Sequence, residues 1–134
     1  MNSEKKIILL AEDDFDLRLQ MKQFLSGKKF EVLEASNEKQ ALDIVSTQNF
    51  DLAILDLMMD NQDSGFIISY KIKKKNSNIP VIIVTAVTKD TGFSFDKSDK
   101  NDDNWIKADV VLNKDIRFEQ LIFEINRLLG EVSA

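Results

Sequence analysis

Four short apolar runs in this chain each end on a polar side chain that can handle a phosphoryl group or its metal. Ile7-Ile8-Leu9-Leu10-Ala11 runs into Glu12, Asp13 and Asp14. Leu52-Ala53-Ile54-Leu55 ends on Asp56, Val81-Ile82-Ile83-Val84 on Thr85, and Val110-Val111-Leu112-Asn113 on Lys114. Parallel strands buried on both faces read as continuous apolar runs rather than alternating ones. Ligands of open α/β sheets bind outside the carboxyl ends of such strands. Four strands in register would bring Glu12, Asp13, Asp56, Thr85 and Lys114 to one rim.

The residues between these runs have helical spacing. Leu17, Met21, Phe24 and Leu25 recur at i, i+4, i+7 and i+8, with Gly27 marking the end of that helix. Phe30–Ala35 reads as a short second strand. Ser36 or Asn37 can cap a helix that turns Ala41, Leu42 and Val45 inward. The third strand runs from about Asp51 to Asp56. A polar loop then leads to Gly65 and a helix with Phe66, Ile67, Tyr70 and Ile72. Pro80 opens the fourth strand, where a missing N–H does little harm. Phe118, Leu121, Ile122, Ile125, Leu128 and Leu129 form one stripe ahead of Gly130. Alternating strands and helices predict an α/β fold with a parallel sheet covered on both faces. Val87–Lys107 breaks the alternation. It is rich in Lys, Asp, Ser and Asn, has only Phe93, Phe95, Trp105 and Ile106 as anchors, and reads as a long loop with a short helical turn.

Composition narrows the chemistry. With 134 residues the chain is sized for one domain, spanning 1–134 with its core at about 5–129. It contains no histidine and no cysteine, so zinc sites of the usual kind and Ser-His-Asp or Cys-His nucleophiles are excluded. A metal here must be a hard cation held by oxygen. The net charge of -5 gives no basic surface for nucleic acid. The lysines at 71, 73, 74 and 75 complement a helix C-terminus. The chain shows no apolar stretch of membrane-spanning length and no signal peptide, so a cytoplasmic location is expected.

The runs IILLAEDD, DLAILDLMM, PVIIVTA and VVLNK, in this order and at this spacing, resemble the receiver domain of two-component response regulators. The likeness covers about Lys5 to Leu129. It implies a flavodoxin-like, doubly wound, five-stranded parallel sheet of strand order 2-1-3-4-5, with the helix between the fourth and fifth strands degenerate or replaced by a loop. By the same resemblance Asp56 is the phospho-acceptor, receiving its phosphoryl group from the phosphohistidine of a sensor histidine kinase or phosphotransfer protein. Glu12, Asp13, Asp56 and the Met58 carbonyl would hold Mg²⁺, or Mn²⁺ in its place. Lys114 would pair with phosphoryl oxygens and Thr85 would hydrogen-bond one of them. Such a domain is not a conventional enzyme. Its output would pass through contact with a downstream protein, without direct nucleic-acid binding or membrane insertion.

The chain departs from the family pattern in several places. Asp115 follows Lys114 where proline is usual, often after a cis bond. Val111 stands where an aromatic switch residue is common. Asp60 replaces a loop proline, and the loop to Gly65 is about one residue longer. By the resemblance Met58 and Val87 would flank the path of the hydrolytic water, and neither can orient a water, so slow self-hydrolysis is expected.

Other chemistries fit less well. An aspartyl phosphatase of the haloacid dehalogenase type needs a second carboxyl two residues after its nucleophile, where Met58 stands. A flavodoxin-like cofactor site would not use an acidic first loop. An EF-hand beginning at Asp99 would place Val110 where a bidentate Glu is needed. The remaining rival is a receiver-like interaction module that works without phosphorylation.

Overall fold

The computed structural model describes residues 5–86, 108–115 and 117–130. Its elements in chain order are β1 (Ile7–Ala11), α1 (Phe15–Gly27), β2 (Glu31–Ala35), α2 (Glu38–Thr47), β3 (Leu52–Asp56), α3 (Ser64–Lys75), β4 (Val81–Thr85), β5 (Val110–Asn113) and α4 (Phe118–Leu128). The five strands form one parallel sheet of order β2-β1-β3-β4-β5, the flavodoxin-like order expected from the sequence. The expected loop or degenerate helix within Val87–Lys107, and the calcium-loop alternative at Asp99, lie outside the described residues.

The apolar runs are continuous because both sheet faces are covered. Leu9, Ala53 and Ile83 pack with Ala41 and Val45 of α2 and Phe66, Ile68 and Ile72 of α3. The alternating set, Ile8, Leu10, Ile54 and Ile82, packs with Met21 and Leu25 of α1 and Leu121 and Ile125 of α4. Every residue of β3 and β4 is buried. Full burial contributes about 1.5–3 kcal/mol for each Leu, Ile or Val, so these central strands are the rigid platform of the fold. Edge strand β2 is buried only at Ala35.

Local signals set the helix starts. The Asp14 side chain caps α1 by accepting from the Leu17 N–H at 3.2 Å. Of the two candidates ahead of α2, Asn37 is the cap, accepting from the Gln40 N–H at 2.8 Å. The α4 stripe from Phe118 to Leu129 packs on the sheet as its spacing predicts.

Two local expectations need correction: the inward face of α3 and the starts of β2 and β3. In α3 the inward residues include Phe66, Ile68, Ser69 and Ile72; Ile67 is only half-buried, and Tyr70 faces solvent with Lys74 Nζ 5.9 Å above its ring. The true inward face, 65-68-69-72, contains Gly65 and Ser69, so its helical period is invisible to a search for large apolar side chains. α1 does end at Gly27, as expected, and a left-handed residue follows at Lys29, with φ 72°. Phe30 is buried but precedes β2, and Asp51 precedes β3, its carboxylate accepting from the Ile7 N–H at 2.8 Å. The lysine cluster serves more than its own helix. Lys75 Nζ donates to the Val45 and Gln48 carbonyls at the end of α2, and Lys73 Nζ binds Asp109 Oδ2 at 2.7 Å beside β5.

Gly65 brings α3 hard against the end of β3. A Cβ there would lie 2.8 Å from Leu57 Cα and 2.9 Å from the Asp56 carbonyl oxygen. Both neighbours are backbone, so neither can swing aside. Alanine usually gains about 1 kcal/mol over glycine in a helix, whereas overpacking of this kind costs about 3 kcal/mol. Gly65→Ala is therefore expected to lower stability by about 2 kcal/mol in urea denaturation; an unchanged midpoint would show that the helix can shift freely.

Candidate functional site

The carboxyl ends of β1, β3, β4 and β5 meet at one rim. Glu12 follows β1 directly, and its N–H donates to the Ala35 carbonyl at 3.0 Å, which continues the sheet pairing by one residue. That extra bond draws the Glu12 side chain into the fold, where it is fully buried. Asp56 is the last residue of β3 and is 2% exposed. Asp13 lies at the surface, yet one carboxylate oxygen from each of Glu12, Asp13 and Asp56 falls within 4.8 Å of the others. Lys114, just past β5, places Nζ 3.2 Å from Glu12 Oε2 and 3.1 Å from Asp56 Oδ2. Its N–H donates to the Thr85 carbonyl at 2.9 Å, which ties the lysine to the end of β4. Thr85 itself is buried. The Met58 N–H donates to Asp56 Oδ1 at 3.3 Å, so this residue, itself 47% exposed, also borders the site. Ala86 is exposed and small. The Lys114–Asp115 peptide bond is trans.

All six residues singled out from the sequence thus lie at or beside this rim. Arg18 was not among them. One helical turn after Asp14, its Nη1 donates to the Glu12 carbonyl at 2.8 Å, and its Nε faces Glu34 Oε1 at 3.3 Å. Lys22 Nζ lies 2.8 Å from the other Glu34 oxygen. Lys22, outweighing partial burial and aided by Arg18, holds the Glu34 carboxyl below the usual carboxylate range. No spacing in the sequence links Arg18 to Glu12 or Glu34, so this brace comes into view only in the fold.

The electrostatics call for a cation. Burial first, and then the neighbouring Glu12 carboxylate, push the Asp56 carboxyl up to about 8, against a smaller downward pull from Lys114. For Lys114 burial works downward, but the adjoining Asp56 and Glu12 carboxylates together outweigh it and hold its pKa above the usual lysine value. Among the described residues, three carboxylates against one ammonium leave an excess of two negative charges when all are ionised. Among the described residues, Glu12 Oε1 is buried without a hydrogen-bond partner, and Asp56 Oδ2 is buried with the Lys114 ion pair alone. Buried carboxylate oxygens in that condition are costly. An all-oxygen set with this charge fits a hard divalent cation.

The response regulator receiver domain model matches residues 8–126. The transcriptional regulatory protein RprY of Bacteroides fragilis is 30% identical over 129 residues, which cover 96% of this chain and 51% of RprY; the chain thus spans about half the length of that relative. Sporulation initiation phosphotransferase F of Bacillus subtilis is 35% identical over 86 residues, covering 64% of this chain and 67% of that protein. Among solved structures, the response regulator protein TrrA from Thermotoga maritima, in complex with Mg²⁺-BeF, is 28% identical with a TM-score of 0.74, covering 92% of this chain and 98% of TrrA. No helix among the described residues is long and apolar enough to cross a membrane. Fold, rim and sequence agree, and the chain belongs to the receiver domain family of two-component response regulators.

Proposed function

We propose that Asp56 accepts a phosphoryl group from the phosphohistidine of a sensor histidine kinase or phosphotransfer protein, and that Glu12, Asp13, Asp56 and the Met58 carbonyl hold the Mg²⁺ this requires, with Mn²⁺ able to substitute. The observation that carries this reading is the gathering of three carboxylates within 4.8 Å beside Lys114 at the carboxyl rim of a parallel sheet. In the transfer an Asp56 carboxylate oxygen forms a bond to phosphorus as the phosphorus–nitrogen bond of the donor breaks. The electron pair of that bond leaves with the donor imidazole. Phosphoryl transfer depends on alignment and charge neutralisation more than on acid–base machinery. When bound, the divalent cation supplies positive charge to the carboxylates and to the phosphoryl oxygens. Lys114 supplies the second positive charge from a fixed position, and the Thr85 hydroxyl donates a hydrogen bond to one phosphoryl oxygen. The phosphorylated state is then read by a downstream protein through surface contact.

The test is intact-mass measurement after incubation with a small phosphodonor such as acetyl phosphate. One phosphoryl group is expected in Mg²⁺ and none in EDTA. No addition in Mg²⁺, or equal addition in EDTA, overturns the reading. The lifetime of the product is a second expected result. Met58 offers only a weakly accepting thioether beside Asp56, so Met58→Asn, which can hold a water, should shorten the half-life of the purified phosphoprotein. An unchanged half-life would show that this side chain does not screen the acyl phosphate. Val87, the other residue named for this screen, lies outside the described residues.

A further inference from the structure

The loop between β3 and α3 is tied to the first residue of α2, a contact that nothing in the spacing of the motifs anticipates. Glu38 Oε1 accepts from Asn61 Nδ2 at 2.9 Å and from the buried Ser64 hydroxyl at 2.8 Å. The Ser64 oxygen in turn accepts from the Asn61 N–H at 3.1 Å. In the reverse direction, the Glu38 N–H donates to Asp60 Oδ1 at 3.1 Å. The first N–H groups of a helix lack partners within it, and carboxylates are favoured there. Asp60 occupies such a place at the start of α2, the Glu38 carboxylate takes the Asn61 and Ser64 side chains in return, and each element fastens the other.

Asn61 is the hub of the loop. Its carbonyl accepts from the Met59 N–H at 3.1 Å and the Ser64 N–H at 3.3 Å. Residues 60–63 are all exposed, and no apolar side chain among them anchors the loop. A displacement of Asn61 is therefore passed to Met59, and through it to Met58, whose N–H meets Asp56 Oδ1. We propose that Glu38 is a positioning residue for the cation and phosphoryl site: by clamping Asn61 and Ser64 it sets where Met58 and the Asp56 carboxylate stand. This inference rests on the reading of Asp56 and its neighbours as a Mg²⁺-dependent acceptor site.

The partners that orient metal ligands commonly matter about tenfold or more in metal affinity. Glu38→Ala is accordingly expected to raise the Mg²⁺ dissociation constant about tenfold, titrated on the intact chain well below its melting temperature. Phosphoryl uptake from acetyl phosphate should be slowed by a similar factor at limiting Mg²⁺ and should recover at saturating Mg²⁺. Glu38→Gln keeps an oxygen that can accept both bonds and should stay close to the parent. Asp60→Ala loosens the same clamp from the loop side and should weaken Mg²⁺ binding in the same sense, which covers the case of a Glu38→Ala chain that does not fold. A purely structural role would lower the melting temperature and leave the dissociation constant unchanged. An unchanged constant in Glu38→Ala, or in Asp60→Ala if Glu38→Ala does not fold, overturns the inference. Equal impairment in Glu38→Gln does so too, since the effect would then follow charge rather than position. If the parent binds Mg²⁺ and takes up phosphoryl while the alanine variants match it, this inference alone fails; a parent that binds no Mg²⁺ overturns the functional reading as well.

Discussion

Asp56→Asn is expected to take up no phosphoryl group and, without divalent cation, to be more stable than the parent in mild alkali. The first effect follows from chemistry: the amide oxygen carries no charge with which to attack phosphorus. The second follows from burial. Asp56 has a carboxyl pushed up to about 8 from an ordinary 3.8, chiefly by burial and then by Glu12. A carboxyl with a raised folded-state value keeps its proton in the folded chain where the unfolded chain has already lost it. Its favourable contribution is complete below about pH 4 and is lost as pH rises toward and through about 8. One such group changes stability by about 1.4 kcal/mol per pH unit across that window at most. Asparagine has nearly the same shape and no charge to bury, so it is spared this loss. In EDTA the variant should therefore pull ahead of the parent as pH rises, by about 2 kcal/mol or more near pH 9, and differ little near pH 5. Saturating Mg²⁺ should narrow or reverse the gap, because a cation bound to the folded parent stabilises it by mass action. Thermal melts at the two pH values, with EDTA and with Mg²⁺, check each part. A pH-independent difference would show that Asp56 is not held protonated by its surroundings.

The same burial explains why the rim was legible in the sequence. β1, β3 and β4 are covered on both faces, so each appears as an unbroken apolar run, and the first polar residue after each run marks the carboxyl end. Glu12, Asp56 and Thr85 could be found that way; Lys114 stands one residue beyond the polar Asn113 that closes the only partly buried β5. Features that depend on small residues or long-range contacts were not legible. The inward face of α3 includes Gly65 and Ser69, and a pattern search sees bulk rather than direction. Gly65 is needed for its closeness to the Asp56 and Leu57 backbone, which no local signal reports. The left-handed turn after α1 falls on Lys29, a residue type that gives no signal for it. The clamp between Glu38 and Asp60, Asn61 and Ser64 joins ordinary polar residues more than twenty positions apart. None of them is unusual for a helix start or a polar loop, so only the fold brings the pattern into view.

Lys114→Met is expected to show how far the ammonium and a divalent cation can replace one another. Lys114 Nζ is paired with both Glu12 and Asp56, whose side chains are almost wholly buried. Methionine keeps much of the side-chain length and removes the charge. Two adjoining buried carboxylates then lose their ion-pair partner, and removing one side of a buried pair costs about 3–5 kcal/mol when the other side stays ionised. Protonation of Asp56 softens that cost at low pH. Lys114 lowers the Asp56 value, so its loss lets Asp56 hold a proton to still higher pH. In EDTA the variant should thus lie close to the parent near pH 5 and fall about 3 kcal/mol below it near pH 9. Saturating Mg²⁺ should stabilise the variant more than the parent, because the cation meets a site with one more uncompensated negative charge. Phosphoryl uptake should not recover with stability. A fixed positive group facing charge that develops on transfer is worth about 10²–10³ in rate, and added Mg²⁺ cannot take the position from which Lys114 reaches the phosphoryl oxygens. Stability restored by Mg²⁺ with uptake still depressed would separate the two roles of the lysine. Uptake at the parent's rate would remove Lys114 from the transfer and leave it only as the counter-ion of Glu12 and Asp56.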